Sequence, residues 1–126
     1  MSSARGVVAG HGDFAAGLLS AVVQITGRSD VLIGVSNRGL SAQDVERTLR
    51  EAVGAVGAAV IFTDLPAGSC TMAARRLQRE QPGLVVVTGV NLAALLDFVF
   101  TEDDDARAAA ATAVEKGRGA LAIAGA

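Results

Sequence analysis

The chain contains one histidine, His11, and it stands where an open α/β protein keeps its chemistry. It follows the apolar run Gly6-Val7-Val8-Ala9-Gly10 and precedes Gly12-Asp13-Phe14 and a helical pattern. In parallel sheets, reacting groups gather beyond the carboxyl ends of the strands, where the chain turns into a helix. Imidazole is the side chain best suited to exchange protons, or to take a phosphoryl group, near neutral pH. A second chemistry-bearing loop reads Thr63-Asp64-Leu65-Pro66-Ala67-Gly68-Ser69-Cys70. In a sheet of order 2-1-3-4 the first and third strands are neighbours, so His11 and Asp64 face one another across the switch-point crevice. A carboxylate accepting from Nδ1–H fixes the imidazole tautomer and leaves the Nε2 lone pair free as nucleophile or base. The alternative for Asp64 is a cap on the turn that follows it.

Ser69 follows Gly68 and opens a helical segment. Its hydroxyl, with the backbone N–H groups of Ser69 and Cys70, offers an anion site, because helix N-termini carry unpaired donors and partial positive charge. An ordinary serine N-cap explains the same residue. Cys70 lies near that helix end, where a thiolate is favoured, although packing is the commoner role of a lone cysteine. Gly10 and Gly12 flank His11 and permit close backbone approach.

Four short apolar runs, at 6–9, 31–35, 59–63 and 84–88, are bounded by Gly, Asp or Pro and are apolar on consecutive positions. Strands buried on both faces of a parallel sheet read this way. Helical patterns separate them. Ala15, Leu18, Leu19, Val22 and Ile25 form the stripe of the first, with Gly27 placed to cap its end. Ser41-Ala42-Gln43-Asp44 resembles a capping box opening the second, whose buried stripe is Val45, Leu49, Ala52, Val53 and Val56. The third is predicted over 69–81, stopping at Pro82-Gly83. Asn91 caps a fourth that runs through Asp97 to Phe100, the acidic Thr101-Glu102-Asp103-Asp104-Asp105 follows, and an alanine-rich helix over 106–116 ends at Gly117. The last stretch, 120–124, alternates large and small apolar residues and is predicted as an edge strand, which invites pairing with another chain. The pattern predicts a single doubly wound α/β domain, mainly parallel, over 1–126.

Composition narrows the function classes. With 126 residues, one domain buries ~65% of its unfolded surface. Hydrophobic residues make up 51%, yet no apolar run approaches the roughly 18 residues of a membrane span. Met1-Ser2-Ser3-Ala4-Arg5 is too short for a secretion signal, and one cysteine excludes an intrachain disulfide, so a cytosolic protein is expected. A net charge of −2 and four Phe as the only aromatics argue against nucleic acid as a partner. With one His and one Cys no metal cluster of familiar spacing forms, and neither metal nor cofactor is expected. Arg75, Arg76 and Arg79 offer a surface for an acidic partner, or simply a solvated helix face.

The stretches Gly10-His11-Gly12-Asp13-Phe14-Ala15, Thr63-Asp64-Leu65-Pro66-Ala67-Gly68-Ser69 and Val87-Thr88-Gly89-Val90-Asn91-Leu92 resemble, in order, the mannose-family enzyme IIA of the bacterial phosphoenolpyruvate-dependent sugar phosphotransferase system. The resemblance implies a parallel sheet of order 2-1-3-4 and a last strand exchanged across a homodimer. It implies His11 as phospho-acceptor, loaded by the histidine-containing phosphocarrier protein and unloaded onto enzyme IIB. Asp64 becomes the orienting carboxylate, with Gly12, Ser69 and Cys70 around the phosphate. Membership of the transporter complex would bring only indirect association with a membrane, and the chain is expected to act as a free-standing carrier. Two departures touch the cradle. Ala67 replaces a glycine that permits positive φ, and Cys70 replaces a proline suited to the start of a helix. Two further functions fit the residues: a regulatory module phosphorylated on His11 that signals to a kinase or transcription regulator, and a hydrolase using Ser69, His11 and Asp64. Ser69 lacks the Gly-x-Ser-x-Gly elbow that the hydrolase needs.

Overall fold

The computed structural model describes residues 5–125; the expectation for the first residues, 1–4, falls outside them. Four parallel strands, β1 (Gly6–Gly10), β2 (Leu32–Ser36), β3 (Val60–Thr63) and β4 (Val85–Val87), lie in the order β2-β1-β3-β4. They alternate with α1 (Phe14–Thr26), α2 (Ala42–Val56), α3 (Ser69–Glu80) and α4 (Leu92–Phe100), and α5 (Ala106–Ala120) follows α4 directly.

The continuous apolar runs of the strands are explained by helices on both faces. Val7 and Ala9 of β1 pack with Val45, Leu49, Cys70, Ala73 and Leu77 of α2 and α3. Val8 points the other way, into a layer built by α1, α4 and α5 with Phe62, Leu95 and Phe98. Every residue of β1 is buried, as a central parallel strand requires. Phe62 meets Phe98 edge-on at 4.9 Å between ring centroids, a favoured aromatic geometry. The Arg5 guanidinium lies 4.9 Å from the centre of the Phe98 ring and donates to the Phe98 carbonyl near the C-terminal end of α4.

The helix boundaries follow from capping. Gly27 ends α1 in the left-handed region with φ 72°, a conformation costly for residues with a Cβ. Ser41 Oγ accepts from the Asp44 N–H, satisfying one orphan donor of α2. Asn91 does the same for α4, its Oδ1 accepting from the Ala94 N–H.

Three expectations need correction. Ile25, assigned to the buried stripe of α1, is 57% exposed, because α1 lies across the edge of the sheet and buries only Ala15 and Val22 fully. Gly117 does not end α5, which continues to Ala120. It is a packing glycine: a Cβ there would lie 2.9 Å from Asn91 Oδ1 and 3.0 Å from Ala94 Cβ. Asn91 Nδ2 donates to the Gly117 carbonyl at 2.9 Å, so one side chain caps α4 and ties it to α5. Finally, residues 121–125 form no strand in this chain's own sheet; Leu121 and Ile123 stand 86% and 84% exposed.

The Gly117 contact makes a prediction against helix propensity. Gly117→Val removes a poor helix former, yet should destabilise the domain by about 1–3 kcal/mol through overpacking against Asn91 and Ala94. A lower urea midpoint at unchanged slope checks it; an unchanged midpoint would show that the α4–α5 contact yields without cost.

Candidate functional site

Strand register decides which residues meet. Gly10 pairs with Ser36, and Ala9 with Thr63, so β1 and β2 end level and β3 one residue earlier. The next residues, His11, Asn37 and Asp64, leave the sheet side by side at its carboxyl edge. Asn37 N–H donates to the Gly10 carbonyl at 3.2 Å, extending the ladder by one step.

Asp64 Oδ2 accepts two hydrogen bonds from His11, one from the backbone N–H at 2.9 Å and one from Nδ1 at 2.7 Å. The carboxylate side chain is 9% exposed and the imidazole 53%. Burial raises the Asp64 carboxyl and is the largest single influence on it, but the hydrogen bonds and charge of His11 together outweigh it and hold the group below its ordinary value. Ionised Asp64 can only accept, so Nδ1–H donates to it and Nε2 is left facing away from the carboxylate. The structure thus brings His11 and Asp64 together, with the carboxylate in hydrogen-bond contact with the ring.

Two glycines permit the approach. A Cβ on Gly10 would fall 2.7 Å from Phe14 Cδ2 and 3.0 Å from Asp64 Oδ2, displacing the carboxylate from His11. A Cβ on Gly68 would sit 3.2 Å from His11 Cε1, so the edge of the ring rests against the residue that precedes α3. Gly12 takes φ +54°, and its carbonyl accepts from Ser36 Oγ at 2.8 Å.

The N-terminus of α3 adjoins the ring. Gly68 is the N-cap and Ser69 the first helical residue, so Ser69 is not a side-chain cap. Instead Ser69 Oγ accepts from Asn37 Nδ2 at 2.8 Å. The first-turn N–H groups, which include those of Ser69 and Cys70, have no preceding helical carbonyl and point outward as donors. The Cys70 side chain is fully buried. Burial pushes its thiol up to about 11, with the Asp64 charge adding to the effect, so it stays protonated and packs. Cys70 can serve the site only through its backbone. Ala67 is accommodated without strain, since among the described residues every positive φ belongs to a glycine. Arg76 of the candidate arginine face is engaged by Glu46 at 2.7 Å, whereas Arg75 and Arg79 stand exposed.

Sequence reasoning missed the β2–α2 loop. Ser36 holds the Gly12 carbonyl, Asn37 holds Ser69, and Arg38 pairs with Asp13 at 3.2 Å beside Gly12. The rule that found His11 and Asp64, applied to the carboxyl end of the second strand, would have drawn attention to Ser36-Asn37-Arg38 as well.

Comparison with known proteins agrees with this architecture. A family model described as the PTS system fructose IIA component, of the mannose type of enzyme IIA, matches residues 6–115. No curated protein matches the sequence. Among solved structures, the phosphotransferase system component EIIA from Streptococcus agalactiae superposes with a TM-score of 0.86 at 21% identity, covering 94% of this chain and 95% of that one. The mannose/sorbose specific IIA subunit from Enterococcus faecalis gives 0.84 at 20% identity, covering 98% and 95%. The PTS IIA protein associated with the fucose utilization operon of Streptococcus pneumoniae gives 0.83 at 21%, covering 98% and 96%. At these identities the likeness shows a common fold. No helix among the described residues is long and apolar enough to cross a membrane.

The His11–Asp64 pair carries a pH signature. A carboxyl whose folded pKa is lowered contributes stability that is fully present above its unfolded value, about 4, and lost as pH falls through the folded value. Urea unfolding between pH 7 and pH 3 should therefore show an acid-side loss of stability that is smaller in Asp64→Asn. Identical pH profiles for the two proteins would mean that the contact contributes nothing to folding.

Proposed function

The chain belongs to the mannose-type enzyme IIA family, the fructose IIA components of the phosphotransferase system, and on that premise we propose that it is a phosphocarrier loaded on His11 Nε2. The phosphoryl group would come from the histidine-containing phosphocarrier protein and pass to an enzyme IIB component serving sugar uptake. One observation carries the reading: a half-exposed imidazole whose Nδ1 is held by a nearly buried carboxylate at 2.7 Å.

The chemistry asks little more of the protein. In the loading step the P–N bond of the donor breaks and its electron pair stays with the donor nitrogen. The Nε2 lone pair of His11 forms the new P–N bond, while the Nδ1 proton remains on the ring against Asp64, whose charge stabilises the phosphoimidazolium. The equatorial oxygens need donors. The Ser69 hydroxyl and the backbone N–H groups at Gly12, Ser69 and Cys70 would supply them, with the helix N-terminus favouring the negative charge. Unloading reverses each bond change. Neither metal nor cofactor enters, and the open position of His11 at the sheet edge suits a partner that is itself a protein.

Labelling with phosphoenolpyruvate and the upstream carrier proteins tests this. His11 should be the sole labelled residue, with phosphorus NMR placing the bond on Nε2, and His11→Ala should take no label. Asp64→Asn should slow transfer about tenfold or more, the scale of a hydrogen bond to a charged group. Onward transfer to a IIB protein supports the transport role. Stable label without onward transfer would point to the regulatory module instead, and an unlabelled wild-type protein would exclude both.

The C-terminal segment supports a homodimer. Beyond β4, a free sheet edge, lies a cleft of ≈ 250 Å³ lined by Val87, Val90, Ala94 and Leu121. Residues 121–125 leave α5 beside it with Leu121 and Ile123 uncovered, as a strand lent to a partner would be. Light scattering at micromolar concentration should report a dimer for the full chain and monomer or aggregate after truncation at Ala120. A monomeric full chain would remove the exchanged strand and leave the His11 chemistry, built within one subunit, intact.

A further inference from the structure

We propose that Asn37 is a positioning residue for phosphoryl transfer, turning the Ser69 hydroxyl proton toward the group carried on His11. The proposal rests on the phosphocarrier reading above. Asn37 is half-buried and is the first residue beyond β2. Its backbone N–H donates to the carbonyl of Gly10, immediately before His11, at 3.2 Å, and its Nδ2 donates to Ser69 Oγ at 2.8 Å. One residue thus ties the strand that delivers the histidine to the helix that delivers the serine. The loop around it is held as well. Leu40 N–H donates to the Asn37 carbonyl at 3.1 Å, and Ser36 Oγ, which donates to Gly12, accepts from the Arg38 N–H at 3.1 Å.

A serine hydroxyl has one proton and two acceptor sites. With Nδ2–H occupying one acceptor site, the O–H rotor is biased to point its proton away from Asn37. The neighbouring competitor is Cys70, which burial keeps as a neutral thiol, a weak acceptor. A phosphoryl oxygen is an anionic acceptor and forms a much stronger hydrogen bond. Gly68 lies against His11 Cε1, the ring carbon bonded to Nε2, which brings the adjoining Ser69 near the edge of the ring that would carry the phosphoryl group. Without Asn37 the hydroxyl rotates freely, and ordering it becomes part of the barrier.

The test uses the full chain and phosphoramidate as the phosphoryl donor, which removes partner docking from the measurement. The P–N bond of phosphoramidate breaks, ammonia leaves with the electron pair, and His11 Nε2 takes the phosphoryl group. Asn37→Ala should slow loading two- to tenfold, the range of one neutral hydrogen bond. Asn37→Asp offers Ser69 only acceptors and draws its proton the wrong way, so it should slow loading further, about tenfold or more. In a Ser69→Ala background, Asn37→Ala should have no additional effect beyond about twofold. Urea midpoints confirm that each variant is folded, and either Asn37 variant alone sustains the comparison if the other is not. Wild-type loading in both Asn37 variants, or an Asn37→Ala effect as large without Ser69 as with it, overturns the proposal while leaving the phosphocarrier reading standing. Absence of label on the wild-type chain overturns both.

Discussion

The contact between His11 Nδ1 and Asp64 Oδ2 depends on β1 and β3 ending within one residue of each other. Parallel pairing places Ala9 opposite Thr63, so two further residues on β1 and one on β3 bring the imidazole and the carboxylate to the sheet edge together. A slip of one residue would turn every side chain of β1 to the opposite face, burying the wrong set and parting the pair. The register is held by the two cores, in which Val8 and Val7 must face different helix layers. Thus the hydrophobic packing that stabilises the domain also determines the most important polar distance in it.

The same edge explains why small residues surround the histidine. Gly10 and Gly68 are each at a point where a methyl group would meet His11 or its partner Asp64. Gly12 supplies a left-handed turn that sends the chain into α1. Around these fixed points the β2–α2 loop adds its polar contacts. Ser36, Asn37 and Arg38 each reach a different neighbour, the Gly12 carbonyl, Ser69 and Asp13. The site is therefore a convergence of three loops on one imidazole rather than a cavity.

Much of this was legible in the chain itself. Strands buried on both faces show as unbroken apolar runs, and the carboxyl-end rule then brings His11 and Asp64 to notice. Asn37 escaped because its role is a side-chain reach between loops 32 residues apart, and Ser36-Asn37-Arg38-Gly39 reads locally as nothing more than a turn. Gly117 was misjudged for a related reason: glycine at a helix end and glycine under a crossing helix are the same letter, and only the position of Asn91 separates them. Ile25 shows the limit of periodicity, which gives the direction of a stripe but not how far the sheet extends beneath it. Residues 121–125 carry the alternation of a strand, yet no strand of this sheet pairs with them and Leu121 and Ile123 stand exposed, which local pattern cannot reveal.

The double anchoring of His11 has a further consequence. Because Asp64 Oδ2 grips both the backbone and the ring, the proposed carrier would have its imidazole oriented before any partner arrives. A rigid site of this kind lowers the forward and reverse barriers by the same amount, as microscopic reversibility demands. It cannot act as a valve. The direction in which phosphoryl groups would flow through such a carrier is then dictated by the relative occupancy of the proteins on either side of it, and the proposed carrier would work as a low-resistance junction that relays whichever gradient the cell maintains.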